Sequence, residues 1–76
     1  MSHFPAHIQP DRWLIQLFSS KAAATGGVVR RQFSDIETVV GWERFEHEIR
    51  RRGYHCFANA GQVIVICNQD PVHVVC

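Results

Sequence analysis

Residues 34–52, SDIETVVGWERFEHEIRRR, constrain the fold more than any other part of the chain. Ser34 and Glu37 have the spacing of a capping box, so the pattern predicts a helix starting there. At about 100° per residue, Ile36, Val39 and Val40 form one apolar group on that helix. Trp42, Phe45 and Ile49 form a second group, roughly 140° from the first by the same step. One straight helix would have to bury two nearly opposite faces. A break at Gly41 lets a short helix and a second helix over residues 42–52 turn both groups toward one core. Gly53 then stops the second helix.

Downstream, residues 54–58 read as a strand, and Asn59, Ala60 and Gly61 are turn residues that tolerate positive φ. Residues 62–67, QVIVIC, follow as a second strand. Asn68-Gln69-Asp70-Pro71 is a turn signal, and residues 72–76 read as a third strand. A three-stranded meander results, with QVIVIC in its middle. Val63, Ile64, Val65 and Ile66 make that strand apolar on both faces, as for a central strand covered on both sides. In so small a chain, a second subunit can supply one of those covers.

Upstream, Pro10 and Asp11 suit the first turn of a helix. Leu14, Leu17, Phe18 and Lys21 recur at helical spacing, Ala22, Ala23 and Ala24 continue it, and Gly26-Gly27 ends it. The competing reading makes RWLIQLF a strand with Trp13, Ile15 and Leu17 on one face. Residues 28–33, VVRRQF, read as a strand that alternates Val29, Arg31 and Phe33 with Val28, Arg30 and Gln32. Residues 1–9 show no periodicity and read as a flexible arm carrying His3 and His7, ahead of a single domain over residues 10–76.

The expected fold is therefore an α+β domain. Two to three helices pack on a three- or four-stranded antiparallel sheet, in the order α-β-α-α-β-β-β. Seventy-six residues put it near the lower size limit for independent folding. A content of 46% hydrophobic residues supplies a core and makes self-association attractive. The N-terminus has no basic and apolar leader, and no stretch spans a membrane. Three cysteines, none in a CxxC pair, argue against a disulfide framework and for a reducing cytoplasm.

No residue set forms a catalytic or metal signature. If Phe57 faces Gln62 and Cys67 faces Val72, the three cysteines share one sheet face, with Cys56 and Cys76 flanking Val63. They would then lie roughly 10 Å apart, too far to share a zinc ion. His55 and His73 would point away from the neighbouring cysteines, so no Cys–His pair forms. The reading assigns no cofactor.

Charge is nearly balanced at +1, so bulk electrostatics do not point to nucleic acid, whose binding domains are usually clearly basic. Seven of the eight cations are nevertheless arginine. Arg50, Arg51 and Arg52 form a collar at a helix C-terminus, where cations complement the dipole. Glu46 and Glu48 lie four residues upstream of Arg50 and Arg52, placed for ion pairs. Arg30 and Arg31 could join the collar as a phosphate-facing patch. Across residues 10–67 the element order resembles winged helix-turn-helix domains, whose second helix enters the major groove while a hairpin wing touches the backbone. That resemblance implies nucleic-acid binding by Arg30, Arg31, Arg44, Arg50, Arg51 and Arg52. Glu43, Glu46 and Glu48 on the same helix oppose it, and residues 59–62 bring no cation to the wing tip.

GGVVRR at 26–31, RRRG at 50–53 and GQxxxxCN at 61–68 resemble segments of a group of short bacterial proteins. Some of that group carry the label phosphoribosylanthranilate isomerase. That activity belongs to a TIM barrel of about 200 residues or more. The resemblance therefore implies no site residue here. The preferred function is a small, non-enzymatic cytoplasmic interaction or accessory module that binds a protein partner or a second copy of itself. Nucleic-acid binding is the alternative. An enzyme using His47, His55 or His73 comes third.

Overall fold

The computed structural model describes residues 9–76. Its elements are α1 (Pro10–Phe18), α2 (Lys21–Ala24), β1 (Val28–Gln32), α3 (Phe33–Val39), α4 (Trp42–Arg52), β2 (His55–Asn59) and β3 (Gln62–Ile66). The α+β class holds, with four helical segments on a three-stranded antiparallel sheet. The arm assigned to residues 1–9 lies, apart from Gln9, outside the described residues.

Burial decides between helix and strand for RWLIQLF. Trp13, Leu14, Leu17 and Phe18 are buried on one face of α1, whereas Ile15 is 60% exposed. A strand would have put Ile15 on the side of Trp13 and Leu17. The long first helix breaks into two, because Ser20 accepts a 3.4 Å bond from Ala23 N and caps α2. Gly27 N donates to Ala22 O at 2.7 Å, and a Cβ on Gly27 would stand 3.0 Å from that oxygen. Glycine spares this close approach a side-chain contact as the chain turns into β1.

The capping box does not form. Gln32 is the N-cap of α3, with no side-chain bond, and the helix begins at Phe33. Phe33 N donates to Gly61 O at 2.8 Å, so the ladder runs one residue past β1 and the chain turns directly into helix. The break at Gly41 is present. Gly41 has φ 89° and ψ 139°, and its N–H returns to Ile36 O at 2.9 Å. Ile36 of α3 and Phe45 of α4 are both fully buried, so the two apolar groups do share one core. Gly53 closes α4 in the left-handed conformation, with Gly53 N bonded to Arg50 O and Tyr54 N to Ile49 O, each at 3.1 Å.

The sheet order is β1-β3-β2. β3 is central, as expected, but residues 72–76 form no strand, and β1 takes the place given to them. Cys67 N to Gly27 O at 2.9 Å extends the β1–β3 ladder at its other end. Asn68 Nδ2 donates to Gly26 O at 2.8 Å, and Asn68 Oδ1 accepts from Asp70 N at 3.0 Å, which turns the chain away from the sheet. The β2–β3 register also differs from the expectation. Asn59 faces Gln62 and Phe57 faces Ile64, across the two-residue loop Ala60-Gly61. Both loop residues have positive φ, 50° and 78°, the type I′ geometry that suits a tight hairpin.

The core lies between the helices and one sheet face. Val29, Val63, Val65 and Cys67 meet Trp13, Leu14, Leu17 and Phe18 of α1, Ile36 of α3, and Phe45 and Ile49 of α4. Aromatic rings run through it at centroid spacings of 5.3 Å for Phe33–Trp42, 5.7 Å for Trp42–Phe45, 6.5 Å for Phe45–Phe18 and 5.8 Å for Phe18–Tyr54.

Candidate functional site

Successive strand residues point to opposite faces, so the register also defines the sheet's second side. Three cross-strand rows stand there: Val28–Ile66–His55, Arg30–Ile64–Phe57 and Gln32–Gln62–Asn59. Val28, Phe57, Ile64 and Ile66 form its apolar part, and none of them belongs to the core cluster. Val28 is 54% and Phe57 43% exposed, while the isoleucines are half-buried. The sequence predicted an apolar β3 on both faces. The cover on the second face is what the fold does not supply. Arg30 stands in the middle row and forms an ion pair with no carboxylate among the described residues.

A groove of about 450 Å³ adjoins this face, between α4 and β2. Trp42, Glu46, Ile49, Arg50, Tyr54 and β2 residues 55–58 line it. Cys56 opens into it, but burial, and then nearby Glu46, push its thiol above the ordinary value. Burial also raises the Cys67 thiol. Neither is an activated nucleophile. His55 lies on the opposite face of β2 from Cys56, with its Nε2 2.7 Å from Asp70 O.

The cysteine geometry needs correction. Cys56 stands opposite Val65 and Cys67 lies two residues beyond it, both on the inner face, while Cys76 is outside the sheet and exposed. Among the described residues, no group of three His, Cys, Asp or Glu could hold a metal ion. His47 on α4 and His73 after β3 are exposed and share no cluster.

Most of the six arginines are already engaged. Arg44 pairs with Asp11 and joins α4 to the start of α1. Arg50 donates to Glu46 through Nε at 3.0 Å and Nη2 at 2.6 Å. Arg51 and Arg52 both reach Glu48 at 2.6 Å. The Arg51 hydrogen bond is the main reason that the Glu48 carboxyl lies below its ordinary value. Partial burial opposes the shift and Arg52 adds to it. Arg30 and Arg31 point to opposite faces of β1, and Arg31 Nη1 donates to Arg30 O at 2.6 Å. The collar is thus a set of ion pairs along one helix, and β1 does not add both of its arginines to one patch.

Residue spacing foretold the Glu46–Arg50 and Glu48–Arg52 pairs, which are local. It foretold the apolar second face of β3 at Ile64 and Ile66 but not Val28 and Phe57 beside them, which share that face only once the strand order and register are known. No family model, curated protein or solved structure matches this chain.

Proposed function

We propose that this chain is a small, non-enzymatic interaction module that docks a protein partner on the outer face of its sheet. The observation carrying this reading is the uncovered apolar group of Val28, Ile66, Ile64 and Phe57, in two adjacent rows around Arg30. Exposed apolar clusters rimmed by polar groups mark interaction surfaces. Here Gln32, Gln62, Asn59 and His55 form the rim. The complementary surface is apolar and presents a carboxylate to Arg30. No helix of the described residues is long and apolar enough to cross a membrane. Three free cysteines fit a reducing cytoplasm as the compartment.

The test is affinity capture with cross-linking from the native cytoplasm, using the wild-type chain and Ile64→Asp. A partner identified by mass spectrometry should bind the purified wild-type chain and lose at least about tenfold in affinity to the variant, as expected for a charge buried in an apolar interface. Identical binding by both chains would overturn the reading.

A second reading, a winged-helix nucleic-acid binder, draws on one specific observation. β1 pairs with β3, and β2 of the β2–β3 hairpin packs against α4, an arrangement consistent with a wing. Against it stand the ion pairs of every α4 arginine and an uncharged hairpin tip. It predicts binding to mixed-sequence DNA or RNA that weakens steeply with salt and on Arg50→Ala or Arg51→Ala. Absence of binding at low salt would reject it.

A further inference from the structure

β2 is an edge strand, and two bonds fix which of its backbone groups face outward. Cys67 N bonds to Gly27 O and Phe33 N to Gly61 O, so the odd-numbered residues of β3 face β1. The even-numbered ones therefore pair with Asn59, Phe57 and His55 of β2. The N–H and C=O groups of Cys56 and Ala58 point away from the sheet. Residues 72–76 form no strand there, and Val74 and Val75 are 85% and 93% exposed. Natural edges are blunted by Lys, Pro or a bulge. HCFAN has none of these.

We propose that a second copy of this chain occupies that edge, with β2 antiparallel to β2 of the other copy about a two-fold axis through Phe57. The edge adjoins the outer face of the proposed function but is a separate surface, so the dimer leaves that face open to its partner. The register follows from the free groups. Centred on Phe57, Cys56 of each copy faces Ala58 of the other, and all the outward groups of both residues find partners. Centred on Cys56, Ala58 would need Tyr54, whose N–H is already held by Ile49 O at 3.1 Å. Centred on Ala58, Cys56 would need Ala60, which is in the turn with φ 50°. Only the Phe57 register leaves nothing unpaired.

The same axis makes Phe57 its own cross-strand neighbour, in the closer, non-hydrogen-bonded kind of pair, at about 4.5 Å between Cα atoms. The middle rows of the two copies then run on as Arg30–Ile64–Phe57–Phe57–Ile64–Arg30 across one continuous sheet. β2 carries no Lys, Arg, Asp or Glu, and Glu46–Arg50 in the adjoining groove is a neutral pair, so the two edges meet without charge repulsion. The β2 edges are thereby paired, and the two outer faces become one continuous surface.

Sedimentation equilibrium of the full chain, from micromolar to millimolar concentration, is expected to give the dimer mass. Phe57→Arg should return the monomer mass with an unchanged far-UV spectrum, and Val74→Asp with Val75→Asp should leave the dimer intact. Phe57→Cys in a chain with Cys56→Ser and Cys76→Ser should form a disulfide-linked dimer with oxidised glutathione, a readout that survives if Phe57→Arg fails to fold. A monomer at all concentrations would overturn the dimer while leaving the capture test on Ile64→Asp to decide the broader reading. A dimer that resists Phe57→Arg, dissociates in the tail variant, or forms no disulfide in the Phe57→Cys chain would overturn this register.

Discussion

Arg52 stands over the ring of Phe18, its guanidinium carbon 4.5 Å from the ring centroid, and its Nε donates to Glu48 at 2.6 Å. The end of α4 is thereby fastened to the core face of α1. Arg50, two residues earlier on the same helix, makes an ion pair in open solvent, with its side chain 77% exposed against 29% for Arg52. Partial shielding makes a cation–π contact worth about 0.5–1 kcal/mol or more. Exposed i,i+4 pairs contribute about 0.3–0.5 kcal/mol. Arg52→Ala should therefore cost about 1 kcal/mol or more in urea unfolding and Arg50→Ala at most about 0.5 kcal/mol. Equal losses would remove the distinction.

Glu48 joins Arg51 to Arg52, and its carboxyl is held below the usual value of 4.5, first by the Arg51 hydrogen bond. A depressed carboxyl stabilises the folded state above its unfolded value, and that contribution disappears as pH falls through the lower folded value. Glu48→Gln should thus be less stable than wild type near pH 7, by about 0.5–1 kcal/mol for a solvent-screened pair. The gap should close once the pH lies below the folded value. Urea midpoints measured for both chains across the acid range check this, and a gap that widened in acid would contradict it.

The hairpin loop contains the clearest opportunity for stabilisation. Ala60 adopts φ 50° with its side chain exposed, so its methyl bears left-handed strain without a compensating contact. That conformation costs about 1–2 kcal/mol for an ordinary L-residue, and Asn-Gly is the favoured type I′ pair. Ala60→Asn should raise stability by about 0.5–1 kcal/mol, seen as a higher thermal midpoint with the same fold. Ala60→Val should lower it.

Gly41 was legible because the angle between two apolar groups is a local property of helix geometry. The neighbour of β3 was not. VVRRQ and VHVVC are both β-prone, and the choice between them depends on Asn68 reaching Gly26 O and on the turn at Asp70, contacts that sequence spacing does not encode. The same holds for the hairpin register. Asn59, Ala60 and Gly61 all read as turn residues, and nothing in their spacing says that Asn59 joins β2 and leaves a two-residue loop, which moves Phe57 opposite Ile64. For the site, the i,i+4 partners of Arg50 and Arg52 could be read from spacing. Arg44–Asp11 and Arg52–Phe18 could not, since they depend on how α4 crosses α1. The exposed face of Val28 and Phe57 needed the strand order and the register together.

The hinge itself can be tested without removing a contact. At Gly41 a Cβ would meet nothing within 4 Å, yet φ 89° with ψ 139° is a conformation that side chains rarely adopt. Gly41→Ala therefore isolates backbone strain, which costs about 1–3 kcal/mol in such regions. Urea unfolding should register a loss of that size, with a far-UV spectrum like that of wild type. Thr38→Ala, an exposed position on α3, should stay within about 0.5 kcal/mol. If Gly41→Ala were neutral, the chain would have found another way between α3 and α4, and Ile36 and Phe45 would not depend on the glycine to reach the same core.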